Sequence, residues 1–144
     1  MYKRQVLTDG EKMLLTPTYH VFEMYTVHHD ATLLAVNLSC DNYKFKNKEI
    51  PGLSVSASKD DSGRINISLC NLEPGESATV SCELRAAKVK KVSGRVLTAE
   101  AMNAHNTFEN PQAVRPTVFN DIQLAGDGFT ATLPAKSIVV LQLE

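Results

Sequence analysis

A chain of 144 residues is one domain long, or one domain with a short appendage, and 43% hydrophobic residues are enough to build a core. A net charge of −1 offers no basic face for nucleic acid or anionic lipid, and no apolar run is long enough to span a membrane. Cys40, Cys70 and Cys82 are odd in number and irregularly spaced, which points to buried free thiols and not to a disulfide framework.

The first thirty residues differ in character from the rest. Residues 5–8 and 13–16 are short apolar runs around the turn Asp9-Gly10, and they predict two brief extended pieces. Thr16-Pro17 is an N-cap followed by proline at the first helical position. From there Val21, Met24, Tyr25 and His28 fall at helical spacing, with Phe22 widening the stripe and Glu23, Thr26 and Asp30 opposite. One amphipathic helix over 17–28 follows. A helix that short cannot bury its own apolar face and needs something to lie against.

After His29 the period becomes alternating. Strands are predicted at 31–38, 53–58, 64–69, 78–84, 92–97, 122–124, 129–133 and 137–143. Leu53/Val55/Ala57, Ile65/Ile67/Leu69, Ala78/Val80/Cys82/Leu84 and Phe129/Ala131/Leu133 each step by two, so one face of each strand belongs in a core. Asp61-Ser62-Gly63, Glu73-Pro74-Gly75 and Gly126-Asp127-Gly128 are turn chemistry between them. Many short strands without intervening helices predict a mainly β chain, an antiparallel, jelly-roll-like β-sandwich preceded by one short helix. Residues 98–120 fit neither period, and an unstructured connection of that length is expected to be functional or interface-forming.

Candidate chemistry is sparse. Glycoside hydrolysis needs two carboxylates held across a cleft, yet the acidic residues sit mostly at turns and strand ends: Asp60, Asp61, Glu73, Glu76, Asp121 and Asp127. Glu100 and Glu109 in the long loop are the remaining, poor candidates. His28-His29-Asp30 sits at a helix end, where adjacent residues diverge and the helix dipole already favours histidine, so no metal site is expected. His105 has no nucleophile motif beside it, and there is no phosphate loop or glycine fingerprint. Asn37-Leu38-Ser39 and Asn66-Ile67-Ser68 match the glycosylation pattern but fall in predicted strands, where chance is the better account. Sugar-binding modules stack pyranose faces on exposed aromatics, and among nine aromatics there is no Trp; only Tyr43, beside Phe45, is a tyrosine within the sandwich.

Three segments carry a resemblance beyond fold level. VLTDGEKMLLTPTYHVFEMYTVH (6–28) resembles the end of the catalytic barrel in family 51 glycoside hydrolases, the α-L-arabinofuranosidases. LTAEAMNAHNTFENPQAVRP (97–116) is similar to a loop in their C-terminal domain, with HNTFENP (105–111) its most specific part. The closing FTATLPAKSIVVLQLE resembles the way those chains end. The resemblance implies a (β/α)₈ barrel followed by a sandwich, and retaining hydrolysis of terminal α-L-arabinofuranosyl residues from hemicellulose and pectin side chains. It divides the chain into 1–30, the last strand and helix of the barrel, and 31–144, the C-terminal sandwich. No residue matches the family's acid/base or nucleophile motif, so catalytic, cofactor and metal residues are all expected to be absent. Residues 1–5 depart from the family pattern, which reads as a C-terminal fragment with an unrelated or misread start.

Several expectations follow from the resemblance. The chain alone should be inactive and should brace the barrel and the oligomer. Its partners would be the parent's barrel, an arabinose-containing polysaccharide or oligosaccharide through the parent, and further copies; its location would be cytoplasmic. His105, Asn106, Thr107, Phe108 and Asn110 should form an ordered structural or interface loop, with Phe108 as its apolar anchor. Without the barrel, the helix should be detached or mobile and one sheet edge unpaired, favouring self-association. The alternative is a free-standing carbohydrate-binding or protein-interaction module.

Overall fold

Alternation turns into antiparallel sheets throughout the computed structural model, which describes residues 5–85 and 89–144; the departure at positions 1–4 lies outside the described residues. A short hairpin, β1 (Val6–Asp9) and β2 (Lys12–Leu15), leads into α1 (Pro17–Tyr25) and a tight 3-10 turn (Thr26–His28). Then follow β3 (Thr32–Leu34), the hairpin β4 (Asn42–Phe45) and β5 (Lys48–Pro51), β6 (Leu53–Lys59), β7 (Ile65–Asn71), β8 (Ala78–Glu83) and β9 (Val92–Leu97). After the long loop come β10 (Thr117–Phe119), β11 (Ile122–Ala125), β12 (Gly128–Leu133) and β13 (Ser137–Leu143).

Two sheets face one another. The larger has the order β10-β9-β13-β7-β6-β3 and the smaller β11-β12-β8, with every pairing antiparallel. The inward sets are those the period of two picks out. Ala57, Ile67, Leu69, Val139, Leu141 and Leu143 of the large sheet bury against Phe129, Ala131 and Leu133 of the small one, with Val80 and Cys82 packed alongside. The mainly β antiparallel sandwich with one short helix is therefore what the sequence predicts.

Three local expectations differ. Residues 31–38 form a strand only over Thr32–Leu34, because the ladder with β6 stops at Leu34 opposite Ala57 and the chain then leaves the sheet to reach β4. The β4–β5 hairpin was not predicted: its lysine-rich sequence hides the alternation of Tyr43 and Phe45. β10 lies inside the stretch read as structureless, where Val118 and Phe119 follow Pro116 too briefly to register as a period; Phe119 is buried in the core all the same.

One glycine is fixed by space. A Cβ at Gly128 would lie 1.8 Å from the carbonyl oxygen of Cys82, which precedes Glu83, its partner across the β12–β8 ladder. Backbone cannot yield as a flexible side chain would. Gly128→Ala should therefore destabilise the chain by more than about 2 kcal/mol in urea unfolding, well above the effect of an ordinary surface substitution. An unfolding midpoint close to that of the parent chain would show that β12 and β8 can part without loss.

Candidate functional interface

The large sheet is covered on its outer face as well. In β6 and β7 the side chains pointing away from the sandwich core are Ser54, Ser56 and Ser58, and Asn66, Ser68 and Cys70. These are small residues, and Ser58, Asn66 and Ser68 are almost fully buried. What buries them is the helical segment, while the long loop covers the neighbouring strands.

Local chemistry starts the helix where the sequence places it. Thr16 caps it, its hydroxyl accepting from the Tyr19 N–H at 3.4 Å, and both its backbone N–H and its hydroxyl donate to the Gln5 carbonyl, tying the β1–β2 hairpin to the cap. Met24, only 2% exposed, then inserts among Leu97, Val114 and Val140, with Val21, Tyr25, Val27 and Ile138 closing around it. The helix therefore lies on the sandwich itself, which corrects the expectation of a detached or mobile segment. Its apolar stripe finds a partner in β9, β13 and the loop. Phe22, expected to widen that stripe, is instead 61% exposed, and Glu23, expected to face solvent, reaches the sheet. Both follow from the helix lying with Met24 at its contact line.

Polar contacts fix the docking. The imidazole of His28 bridges two strands, with Nδ1 2.6 Å from Ser58 Oγ and Nε2 2.6 Å from Ser68 Oγ. Asn66 donates to the Val27 carbonyl and accepts from Gln142. The Tyr25 hydroxyl lies 3.5 Å from Cys70 Sγ, and burial, reinforced by that thiol, pushes the phenol well above its ordinary range. At the rim, the Arg95 guanidinium donates to both carboxylate oxygens of Glu23, at 2.7 and 3.0 Å. That pair is half-exposed, so its contribution is at most about 1 kcal/mol. Burial holds His28 below the usual imidazole range.

The loop after β9 is ordered around Asn106. Its amide donates to the carbonyls of Leu15 (2.8 Å) and Val114 (2.9 Å), and its side-chain oxygen accepts from the Val114 N–H (2.7 Å). One buried side chain thus joins β2 to the loop and holds the loop's own ends together. Thr107 accepts from the Asn110 N–H, pinning a local turn, and His105 is exposed with its Nδ1 against the Asn103 carbonyl. Phe108 is only half-buried, so it is not the anchor; Val114, 5% exposed, takes that place. Sequence reasoning did not single out Val114, Ser58 or Arg95, and it noted Ser68 only within a chance glycosylation match. The signal available was the run of small neutral residues at outward strand positions, where an uncovered face would carry longer polar side chains.

The contacts described so far pack one layer of the chain on another. Glu100 and Glu109 are exposed, and hydrogen bonds from the backbone and Thr107 hold Glu109 below its ordinary range, opposite to what a general acid needs. A groove of about 580 Å³ runs beside α1, bounded by Glu23, Arg95, Val118 and Gln142, but its carboxylate is already committed to Arg95. His29 faces outward while His28 is taken by the serines, and no cluster of three metal-ligating side chains occurs among the described residues. Cys40, Cys70 and Cys82 are free and partly buried, and no described helix is long and apolar enough to cross a membrane.

Comparison with known proteins places this geometry. The family model described as the α-L-arabinofuranosidase C-terminal domain matches residues 3–137. An intracellular exo-α-L-arabinofuranosidase of Bacteroides ovatus is 41% identical over 140 residues, covering 96% of this chain and 27% of that protein. The solved GH51 arabinofuranosidase of Xanthomonas axonopodis pv. citri superposes with a TM-score of 0.95 at 41% identity, over 97% of this chain and 28% of that one. The thermostable GH51 α-L-arabinofuranosidase of Thermotoga petrophila RKU-1 gives 0.82 at 25% identity, over 96% and 31%. The chain thus spans little more than a quarter of the length of the first two.

Two measurements probe the interface. In the unfolded chain His28 titrates near its ordinary value of 6.5, whereas in the folded chain its pKa is lower. Between those two values the unfolded state binds more protons, so the His28 contribution is complete above about pH 6.5 and is lost as pH falls below it. His20, also lowered chiefly by burial, acts in the same direction, so the difference between the parent chain and His28→Gln isolates the effect. Stability of the parent chain should fall between pH 7 and 5 more steeply than that of the variant; equal slopes would remove His28 from the account. Asn106→Ala, which strands the buried Val114 N–H, should cost about 1–3 kcal/mol. Phe108→Ala should cost less, and the reverse order in denaturant titrations would restore Phe108 as the anchor.

Proposed function

Because the chain belongs to the α-L-arabinofuranosidase C-terminal domain family, we propose that it is the supporting sandwich of a larger enzyme that releases terminal α-L-arabinofuranosyl residues from hemicellulose and pectin side chains. The chain is the C-terminal domain of the GH51 type, and these 144 residues do not include the catalytic domain. In this reading residues 1–30 are the tail of the catalytic barrel and 31–144 the sandwich that braces it. The observation that carries the bracing role is the tie between the two parts. Met24 is packed into the outer sheet face, His28 is held by Ser58 and Ser68, and Asn106 reaches back to the Leu15 carbonyl. A barrel whose last helix is fastened in this way is held in one orientation on the sandwich.

The loop residues His105, Asn106, Thr107, Phe108 and Asn110 belong to that brace, Asn106 as its hub and the exposed ones at its rim. Contact with arabinose-containing glycan passes through the parent, and association into a homo-oligomer is part of the same proposal. A cytoplasmic location is carried over from the description of the Bacteroides relative as intracellular.

The isolated chain should not hydrolyse an aryl α-L-arabinofuranoside, because neither glycosyl-enzyme formation nor leaving-group protonation has a catalyst here. Turnover above a buffer blank, abolished by substituting Glu100 or Glu109, would sink the reading. A chimera joining these residues to the upstream part of the Xanthomonas enzyme should be active. Its loss of heat resistance on Asn106→Ala should match the loss in the isolated chain. A chimera no more heat-resistant than its upstream part alone would refute the bracing role.

A further inference from the structure

The β4–β5 hairpin has no part in the brace. It continues β6 beyond the end of the large sheet, and its strands contact chiefly each other. A two-stranded ribbon on its own is marginal in water. Its base is nevertheless rigid: the Gly52 N–H donates to the Asp41 carbonyl at 2.8 Å, and the Gly52 carbonyl accepts from the Leu72 N–H at 2.9 Å. A Cβ at Gly52 would meet the Asp41 oxygen at 2.9 Å, so glycine is what allows this close base.

The ladder sorts the side chains into two unlike faces. Tyr43 opposes Ile50 and Phe45 opposes Lys48, which puts all four on one side, while Lys44 and Glu49 oppose each other on the other. The second face is neutralised by a Lys44–Glu49 ion pair at 3.6 Å. The first is not. Phe45 is 60% exposed and Ile50 49%, and Lys46 Nζ sits 5.4 Å from the Phe45 ring centroid. Among the described residues neither Lys46 nor Lys48 has an ion-pair partner. Lys46 also has a left-handed backbone (φ 55°) in the two-residue turn, where glycine would be unstrained.

We propose that this face is a contact arm for an acidic glycan: the apolar face of a sugar ring lies on Phe45 and Ile50, and its carboxylate is held by Lys46 and Lys48. The inference rests on the reading of the chain as a glycosidase domain, which supplies the ligand class; charge complementarity supplies the acid. A neutral sugar would use the aromatic ring but leave two unpaired lysines without a role. A second copy would gain too little, because four side chains fall far short of the roughly 800 Å² per partner of a stable interface.

The test is amide-shift titration of the 144-residue chain with trigalacturonate and, separately, with neutral arabinotriose. Trigalacturonate should shift amides within residues 43–50, with affinity weakening several-fold as salt is raised, and arabinotriose should bind at least about fivefold more weakly. Phe45→Ala, and separately the double change Lys46→Gln with Lys48→Gln, should each weaken trigalacturonate about fivefold or more while leaving the β7 amides unmoved. Equal affinity for the two sugars, shifts centred elsewhere, or indifference to the lysine changes would overturn the proposal. So would concentration-dependent shifts of the hairpin without sugar, which would assign the face to a second copy. None of these results bears on turnover, so failure here leaves the supporting-domain reading standing.

Discussion

Everything in this chain depends on the large sheet being covered on both faces. Its central strands β7 and β13 have almost no exposed side chains on either side. The inner face meets the small sheet through branched aliphatics. The outer face meets a helix and a loop through serines, asparagine and a cysteine, with Val140 and Leu97 receiving Met24. Burying hydroxyls and amides is costly unless each finds a partner, and here the partners come from the covering layer: His28 for Ser58 and Ser68, and Val27 for Asn66. In the described residues no fully buried side-chain nitrogen or oxygen lacks a hydrogen bond. Removing the layer would therefore expose apolar surface and also leave polar groups that were placed to be met.

That mutual dependence explains what could be read in advance. The inner face was legible because period-two alternation of Ile65, Ile67 and Leu69, or of Phe129, Ala131 and Leu133, has one physical meaning. The helix was legible from Thr16-Pro17 and the spacing of Val21, Met24, Tyr25 and His28. Its destination was not. A stripe shows that a helix needs a partner, and nothing in the period says which. The alternation of Ser58, Asn66 and Ser68 resembles a solvated face, because small polar residues suit water and a satisfied interior equally well.

The loop shows the same limit from the other side. Asparagines in HNTFENP announced a network of backbone contacts, and Asn106 provides one, but the distance between Asn106 and Leu15 is 91 residues along the chain. No local rule connects them. The apolar anchor was placed at Phe108 because size draws attention, whereas the space under the loop fits Val114. Family resemblance identified the domain because it compares whole segments, and so carries long-range pairings that residue-by-residue reasoning cannot reach.

The strand order has a consequence for biosynthesis. β13 sits between β9 and β7 and supplies both of their ladders, yet it is the final strand in the order of the chain. Translation delivers N-terminal segments first, so β6 and β7 emerge as a ribbon with one long unpaired edge, and β9 and β10 as a separate one. The two halves of the sheet cannot join until Ser137–Leu143 has left the ribosome. Until then the inner apolar face of each half is open to solvent or to the nearest nascent neighbour. The nascent domain is thus most exposed between the emergence of β10 and that of β13, and a chain interrupted between them cannot close its core.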